Sequence, residues 1–292
     1  MANIKTIRKV VEEQDKFLIA RQKEHVKRVE KSVASLQKKI INTMSRLKTT
    51  DEGKLLGLRV NLKQSQSVHA KIVSLYETEF NAKTKAMVEE FEDVLTLVKK
   101  GYKDLGAAVR FTSVDRTAMQ VLRDGMYQDY LAISGSSRQK VIQAMYDQVL
   151  GAGTTANLVY QIESALMGSE VAVGTGRSLV SLSRLYARDM VMNYNQEVQL
   201  YKADEAGMDS FLYVGDIIKT TREFCRRRVG RTYTKQQIES WTFKWAGKSG
   251  PALTNRGGYN CRHHWQPVRK EWLEGKKKLD VADWNLEQVN KG

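Results

Sequence analysis

The first fifty residues carry apolar side chains at the spacing of a helix face. Between 26 and 47 these positions advance in steps of three or four residues: Val26, Val29, Val33, Leu36, Ile40, Met44 and Leu47. Lysine and arginine occupy many of the positions between them, so one face is apolar and the others are polar. The pattern predicts one long amphipathic helix over 1–48.

A second helical stretch is predicted after a break at 49–57, which contains two glycines and residues typical of helix caps. Apolar positions at helical spacing run from Val68 to Val98, and Lys99-Lys100-Gly101 is typical of a helix C-terminus. Residues 1–100 are therefore predicted to form a long helical hairpin or coiled coil. Two interpretations stay open: the apolar stripes bury each other within the chain, or they dock onto other subunits.

The next hundred residues contain shorter amphipathic segments, and 101–209 is predicted to be a central helical domain with a bundle-like core. Ser136-Ser137 is placed to cap a helix over 138–150, and Thr154-Thr155 is placed to cap the helix after it. A longer helix is predicted over 177–205. The sequence up to this point contains no proline, which would interrupt such helices.

Residues 210–268 change character and are predicted to form a small α+β module. "FLYVG" and "NCRHHWQPV" each indicate a strand, and we expect them to pair in a short antiparallel sheet. "TTREFCRRRVG" indicates a short helix, and Thr234 and Gly247 are placed to begin and end another. The predicted fold class is therefore mainly α, with a small C-terminal α+β module.

Composition excludes one large class of protein. The chain is 41% hydrophobic, and no run approaches the roughly 18 apolar residues that a membrane helix needs. The N-terminal residues are charged and lack the apolar region of a signal peptide. We therefore expect a protein that matures in a cytoplasm, with no membrane partner and no cofactor.

The positive charge is concentrated at the two ends of the chain. Residues 1–100 have a net charge of +8, residues 101–210 of −2 and residues 211–292 of +9. This distribution favours polyanion contacts at the ends and protein contacts in the middle, although a solubilising surface explains it as well. The candidate residues for binding the phosphate backbone of DNA without reading bases are Arg222, Arg226, Arg227, Arg228 and Arg231, and Lys276, Lys277 and Lys278 in a basic arm over 269–292.

The two cysteines, Cys225 and Cys261, lie in the same module as His263. One interpretation is a structural corner, in which the two thiols pack together behind a turn at Gly257-Gly258. A second is a zinc site formed by both cysteines and His263, with His264 or water as the fourth ligand. A third is a disulfide. We expect the structural corner and no bound metal, because four protein ligands are hard to assemble here and the CxxC pairs of many zinc sites are absent. Side chains alternate along a strand, so His264 is expected to point away from Cys261 and His263.

A cysteine–histidine enzyme is disfavoured by the spacing of these residues. Positions i and i+2 on one strand give a poor geometry for a nucleophile and its base, and no carboxylate lies nearby in sequence to orient the histidine. A metal-dependent nuclease lacks the clustered carboxylates of many two-metal sites. The sequence therefore predicts no catalytic residues and no enzyme.

Two short motifs in this module resemble those of a known family. Thr221, Arg222 and Cys225 form the first, and Asn260, Cys261 and Arg262 form the second, after a turn that contains Gly257 and Gly258. In their order and separation they are similar to the minor head, or head morphogenesis, proteins of tailed bacteriophages (Mu protein F-like). The resemblance covers about 178–268. It departs from the family at Gly258-Tyr259, where His-Pro is usual, and at His263, where a second cysteine is frequent.

The resemblance implies a structural minor head (minor capsid) protein, present in multiple copies per virion. Its implied partners are the portal protein and the major capsid or other head proteins, with packaged double-stranded DNA as a further partner during head assembly or DNA ejection. Its implied location is the head interior or the portal vertex of the virion, after assembly in the host cytoplasm. Two alternatives stay open: a nucleic-acid-processing enzyme or toxin carried in the virion, and a coiled-coil adaptor.

Overall fold

A single long helix begins the chain. The structure, a computed structural model, describes residues 3–107, 109–168, 177–245 and 248–273. Helix α1 runs over Ile4–Met44 without interruption. The predicted apolar stripe is buried, with exposed fractions of 2% or less at Val29, Val33, Leu36, Ile40 and Met44. The long N-terminal helix is therefore confirmed, and its stripe belongs to the core of the chain.

The predicted break after α1 is held in place by one buried amide. The Asn61 side chain accepts a hydrogen bond from the Lys48 backbone N–H at 2.7 Å and donates to the carbonyls of Lys48 and Leu56. These bonds close the turn, after which the chain returns along α1 in a series of helices. They are α2 (Leu58–Leu75), a π-helical turn (Tyr76–Asn81), α3 (Ala82–Glu89) and α4 (Glu92–Asp104).

The middle of the chain contains fewer and longer helices than the sequence predicts. Helix α5 spans Ser113–Leu150, so the predicted helix start at Ser136-Ser137 is wrong. Ser137 lies in the buried stripe, between Ile133 and Val141, and its hydroxyl is 2.9 Å from the Tyr76 hydroxyl. Ser137 therefore does not act as a helix cap, and the buried stripe continues through it.

The next two helices agree with the sequence. Helix α6 (Thr155–Met167) begins where expected, because the Thr154 side chain accepts a hydrogen bond from the Asn157 backbone N–H at 3.1 Å. Helix α7 spans Leu179–Ala203. Among the described residues, no helix combines the length and hydrophobicity that crossing a membrane requires.

The chain groups into two units, each built from segments that are distant in sequence. Unit 1 comprises the described residues of 1–23, 91–122 and 188–292, and unit 2 those of 24–90 and 123–187. The domains predicted from the sequence, by contrast, are consecutive segments with boundaries at 100, 209 and 268. These boundaries stay a prediction.

Within each unit, α1 runs antiparallel to the returning helices. In unit 1, Glu13 pairs with Lys100 and Arg21 with Asp93. In unit 2, Arg28 donates two hydrogen bonds to Glu90, at 2.5 and 2.8 Å, and Lys39 pairs with Glu79. In both units, later residues of α1 pair with earlier residues of the returning helices, which is the arrangement that a helical hairpin requires.

The C-terminal module has the short antiparallel sheet that the sequence predicts. Strand β1 (Ser210–Val214) lies between β2 (Thr232–Thr234) and β5 (His264–Val268), and both pairings are antiparallel. Tyr213 lies opposite Trp265, and Phe211 lies opposite Pro267. Strand β5 is at the edge of this sheet. Pro267, which has no N–H, is tolerated there because a residue at an edge can do without a ladder hydrogen bond.

Two boundaries in this module differ from the prediction. Thr234 starts helix α9 through a capping box, as expected, but α9 covers only Lys235–Glu239. The next residues, "TFKW", favour a strand by their β-branched and aromatic side chains, and they form a hairpin of β3 (Thr242–Trp245) and β4 (Lys248–Pro251). The predicted end of that helix at Gly247 lies outside the described residues.

The second difference concerns the strand over 260–268, which begins only at His264. Asn260 has a φ of 56°, a left-handed conformation that a strand cannot contain. The short helices α8 (Glu223–Arg226) and α10 (Ala252–Asn255) complete the module, followed by a 3₁₀ turn over Lys270–Leu273. Lys276, Lys277 and Lys278 lie outside the described residues.

Candidate functional site

The two motif segments of the sequence meet at one buried corner of unit 1. We call this the cysteine corner and define it as Tyr213, Cys225, Gly257, Cys261 and His263. Strand β1 contributes Tyr213, helix α8 contributes Cys225, and the turn before β5 contributes the other three. Both cysteines and His263 are at most 5% exposed. The structure therefore brings together the three residues proposed from sequence as a structural or zinc-binding group.

The polar atoms of the corner lie within direct contact of one another. The two sulfurs are 3.7 Å apart, and Cys261 Sγ is 3.7 Å from His263 Nδ1. The Tyr213 hydroxyl lies 3.4 Å from Cys225 Sγ and 3.6 Å from Cys261 Sγ. A disulfide bond is about 2.05 Å long, so the two cysteines are free thiols here.

Gly257 makes this close approach possible. A Cβ atom at this position would lie 2.3 Å from Cys225 Sγ and 2.9 Å from Cys261 Sγ, which no side chain tolerates. Its backbone N–H also donates a hydrogen bond to Cys261 Sγ at 3.3 Å. The next residue, Gly258, has a φ of 89°, where L-residues are strained. The turn therefore requires glycine at both positions.

Arg222 joins the two motif segments. Its guanidinium donates hydrogen bonds to the Gly257 carbonyl at 2.9 Å and to the Tyr259 carbonyl at 2.6 Å. The Asn260 backbone N–H donates to Asp189 at 2.8 Å, which ties the second motif to helix α7. Thr221 accepts a hydrogen bond from the Ile218 backbone N–H. Arg262 is exposed.

The two thiols have different acidities. A hydrogen bond from Cys225, together with His263 and the charge of Arg256, holds the pKa of Cys261 well below its usual range. The same hydrogen bond and burial raise the pKa of Cys225.

His264 points to the opposite face of β5, as the alternation predicts. Its side chain is fully buried, and Nδ1 lies 3.4 Å from a carboxylate oxygen of Asp15 on α1. Burial lowers the pKa of His264 to about 3, and the charge of Arg256 adds to this. Burial and the charges of Asp216 and Glu12 raise the pKa of Asp15 to about 8. Both shifts favour the neutral forms of His264 and Asp15.

Sequence reasoning missed three residues of this region: Asp15, Tyr213 and Arg256. Tyr213 could have been found, because it alternates with Phe211 on the strand predicted to pair with "NCRHHWQPV". Asp15 could not, since it lies on α1, far away in sequence. Arg256 is fully buried, and its guanidinium has no hydrogen-bond partner among the described residues.

The predicted DNA-binding arginines are divided between the surface and the interior. Arg226, Arg227 and Arg231 are exposed, and Arg227 pairs with Glu223. Arg228 lies over the rings of Phe224 and Trp241, at 3.9 and 4.2 Å from their centroids. Arg222 donates its hydrogen bonds to the Gly257 and Tyr259 carbonyls. Only the three exposed arginines are placed to reach a phosphate backbone, and DNA binding by any of them stays a prediction.

Comparisons of the chain with protein-family models, curated proteins and solved structures find no significant match. The resemblance to phage head proteins therefore rests on the motif residues alone. Among the motif residues, Cys225 of the first motif contacts Cys261 of the second.

Proposed function

We propose that the protein is a structural minor head protein of a tailed bacteriophage. The observation that carries the proposal is the contact between the two motif segments, in which Arg222 bonds the turn before Cys261 and Cys225 packs against Cys261. Two of the six motif residues, Cys225 and Cys261, belong to the cysteine corner, and Arg222 bonds the turn that leads to Cys261.

The proposed role is structural because the reactive groups are enclosed. Cys261 and His263 are 3% and 5% exposed, so a substrate has little access to them. A nucleophile must reach the atom that it attacks, whereas a buried thiol pair stabilises the fold without any substrate. This favours assembly over the alternative of an enzyme carried in the virion.

The proposed partners are the portal protein and other head proteins, at the portal vertex or in the head interior. Val114 and Val121 lie two turns apart on α5 and are 70% and 65% exposed, which makes this part of α5 a candidate contact. The exposed Arg226, Arg227 and Arg231 are the candidate contact for packaged DNA. A net charge of +15 supports nonspecific attraction to nucleic acid.

The first test is the gene neighbourhood. Genes for a portal protein and a large terminase subunit next to the gene for this chain would support the proposal. A neighbourhood of host genes with no phage structural gene nearby would contradict it.

The second test is cross-linking in purified heads, followed by mass spectrometry. The proposal predicts cross-links between lysines of this chain and the portal protein or another head protein. Heads assembled without the portal serve as the control, because portal cross-links must disappear from them. A chain that is found only outside assembled heads would contradict the proposal.

A further inference from the structure

Three side chains of the cysteine corner offer the donor atoms that zinc prefers. The two thiol sulfurs and a ring nitrogen of His263 all lie within 4.8 Å of one another. Zinc binds sulfur at about 2.3 Å and nitrogen at about 2.0 Å. In a tetrahedron these lengths place two sulfurs about 3.8 Å apart, and a sulfur and a nitrogen about 3.5 Å apart. The Cys225–Cys261 and Cys261–His263 separations, both 3.7 Å, agree with that geometry. The Cys225–His263 separation lies within the 4.8 Å limit, so a bound ion would draw these two side chains together.

The surroundings of the sulfurs also suit a bound cation. The Gly257 backbone N–H donates to Cys261 Sγ at 3.3 Å, and such a bond stabilises a sulfur that carries negative charge. Gly257 has no side chain that would fill the space between the sulfurs. The turn thus leaves both sulfurs facing the same point, as ligands of one ion must.

Tyr213 closes the remaining side. Its hydroxyl is 3.4 and 3.6 Å from the two sulfurs, and its ring stacks on His263 at 5.5 Å between centroids and an angle of 13°. The hydroxyl is therefore close enough to both sulfurs to serve as the fourth ligand of an ion bound by the other three. A site closed by protein in this way is typical of structural zinc, because catalytic zinc keeps a position open to substrate.

We propose that Cys225, Cys261 and His263 bind one structural zinc ion, with the Tyr213 hydroxyl at its fourth position. The ion joins helix α8 to the turn before β5, which are the same two segments that Arg222 joins. This site does not depend on the proposed role in phage heads and is tested separately from it.

The test is the metal content of the full-length protein, purified through a tag without histidines and without chelators. Elemental analysis is expected to find about one zinc per chain. Cobalt substituted for zinc is expected to give the thiolate charge-transfer and tetrahedral ligand-field absorption of a two-sulfur site. A zinc content near zero, with two thiols per chain reacting after unfolding, would overturn the proposal.

Variants assign the ligands. Cys225→Ser, Cys261→Ser and His263→Gln are each expected to weaken zinc binding by at least about tenfold. His69→Gln is the matched control, because His69 lies in unit 2 and contacts Tyr146 instead of a sulfur. Zinc that is retained in the Cys261→Ser and His263→Gln proteins, or lost equally in the His69→Gln protein, would contradict this assignment.

A measurement on the unmodified protein covers the case in which the ligand variants do not fold. A mercurial reagent that modifies thiols is added in steps while a colorimetric chelator reports free zinc. The proposal predicts that zinc is released in proportion to the modification of two thiols. Zinc that stays bound after both thiols have reacted would show that the cysteines are not its ligands.

Discussion

The Arg222 guanidinium stabilises a turn by donating hydrogen bonds to two of its backbone carbonyls. The Gly257 and Tyr259 carbonyls lie where the backbone reverses, so neither is part of the sheet ladder. Without the guanidinium, both would need another donor in a half-buried position. The arginine of the first motif therefore acts as a structural residue.

Replacing Arg222 tests this role. Arg222→Gln is expected to lower the free energy of unfolding by about 2–3 kcal/mol, because hydrogen bonds from a charged donor are lost. Arg226→Gln is the control, since Arg226 is exposed and its change is expected to stay within about 0.5 kcal/mol. Urea denaturation measures both. Equal effects of the two substitutions would contradict the structural role of Arg222.

The Asp15–His264 pair predicts a specific pH dependence. The pKa of Asp15 is raised to about 8 in the folded protein, so its contribution to stability is present at low pH and is lost as the pH rises toward 8. The pKa of His264 is lowered to about 3, so its contribution is lost as the pH falls below its unfolded value of 6.5. The two effects oppose each other below pH 6.5, and only that of Asp15 acts above it.

We therefore expect unfolding experiments to show stability falling between pH 6.5 and 8. The decrease is at most about 2 kcal/mol, because the Asp15 side chain is still 23% exposed. Asp15→Asn removes the titrating group and is expected to flatten the curve in this interval. A curve of the same slope in the variant would contradict the assignment to Asp15.

The sequence predicts which way the side chains near Cys261 point, but not the pairing of His264 with Asp15. Alternation along "NCRHHWQPV" is sufficient to separate His264 from Cys261 and His263, because strand geometry is local. The neutral pairing of His264 with Asp15 depends on a helix that is more than two hundred residues away in sequence. No local pattern contains that information.

At the scale of elements, helix α5 shows where local signals fail. Two serines and a glycine near its centre are typical of a helix boundary, yet the helix continues because Tyr130, Val141 and Met145 stay buried along one face. Tertiary burial outweighs a propensity difference of about 1 kcal/mol per residue. Thr154 and Thr234 do begin helices as predicted, so a capping signal fails where a buried apolar stripe continues through it.

Glycine substitutions test the continuity of α5. Gly125 lies inside the helix, and no atom lies within 4 Å of the position that an added methyl group would occupy, so Gly125→Ala is expected to raise the free energy of unfolding by about 0.5–1 kcal/mol. Gly106 has equally open space but a φ of 73°, so Gly106→Ala is expected to destabilise by about 1–2 kcal/mol. Thermal unfolding distinguishes the two signs. Destabilisation by Gly125→Ala would indicate a break in α5.

At the scale of the whole molecule, the charge distribution predicts binding to DNA through phosphates. Arg226, Arg227 and Arg231 are exposed in unit 1, and replacing all three by alanine is expected to weaken nonspecific binding to double-stranded DNA. The plot of log K against log salt concentration should become shallower by about 3 in slope, because each phosphate contact contributes about 0.9.

A charge-matched control separates these contacts from net charge. It carries three alanine substitutions of exposed lysines in unit 2, at Lys63, Lys71 and Lys85. Because the candidate phosphate contacts are the three arginines of unit 1, this control is expected to lose less slope than the arginine variant, although its lysines lie in the other basic end of the chain. Equal losses in both triple variants would show that net charge alone attracts the DNA.

The copy number of the chain in purified heads tests the central claim most directly. Quantitative mass spectrometry of DNA-filled particles, calibrated against the portal and the major capsid protein, gives this number. A minor head protein predicts a few to tens of copies per particle, retained through purification. No copies in purified heads would contradict the account, and hundreds would identify a major capsid or scaffolding role instead.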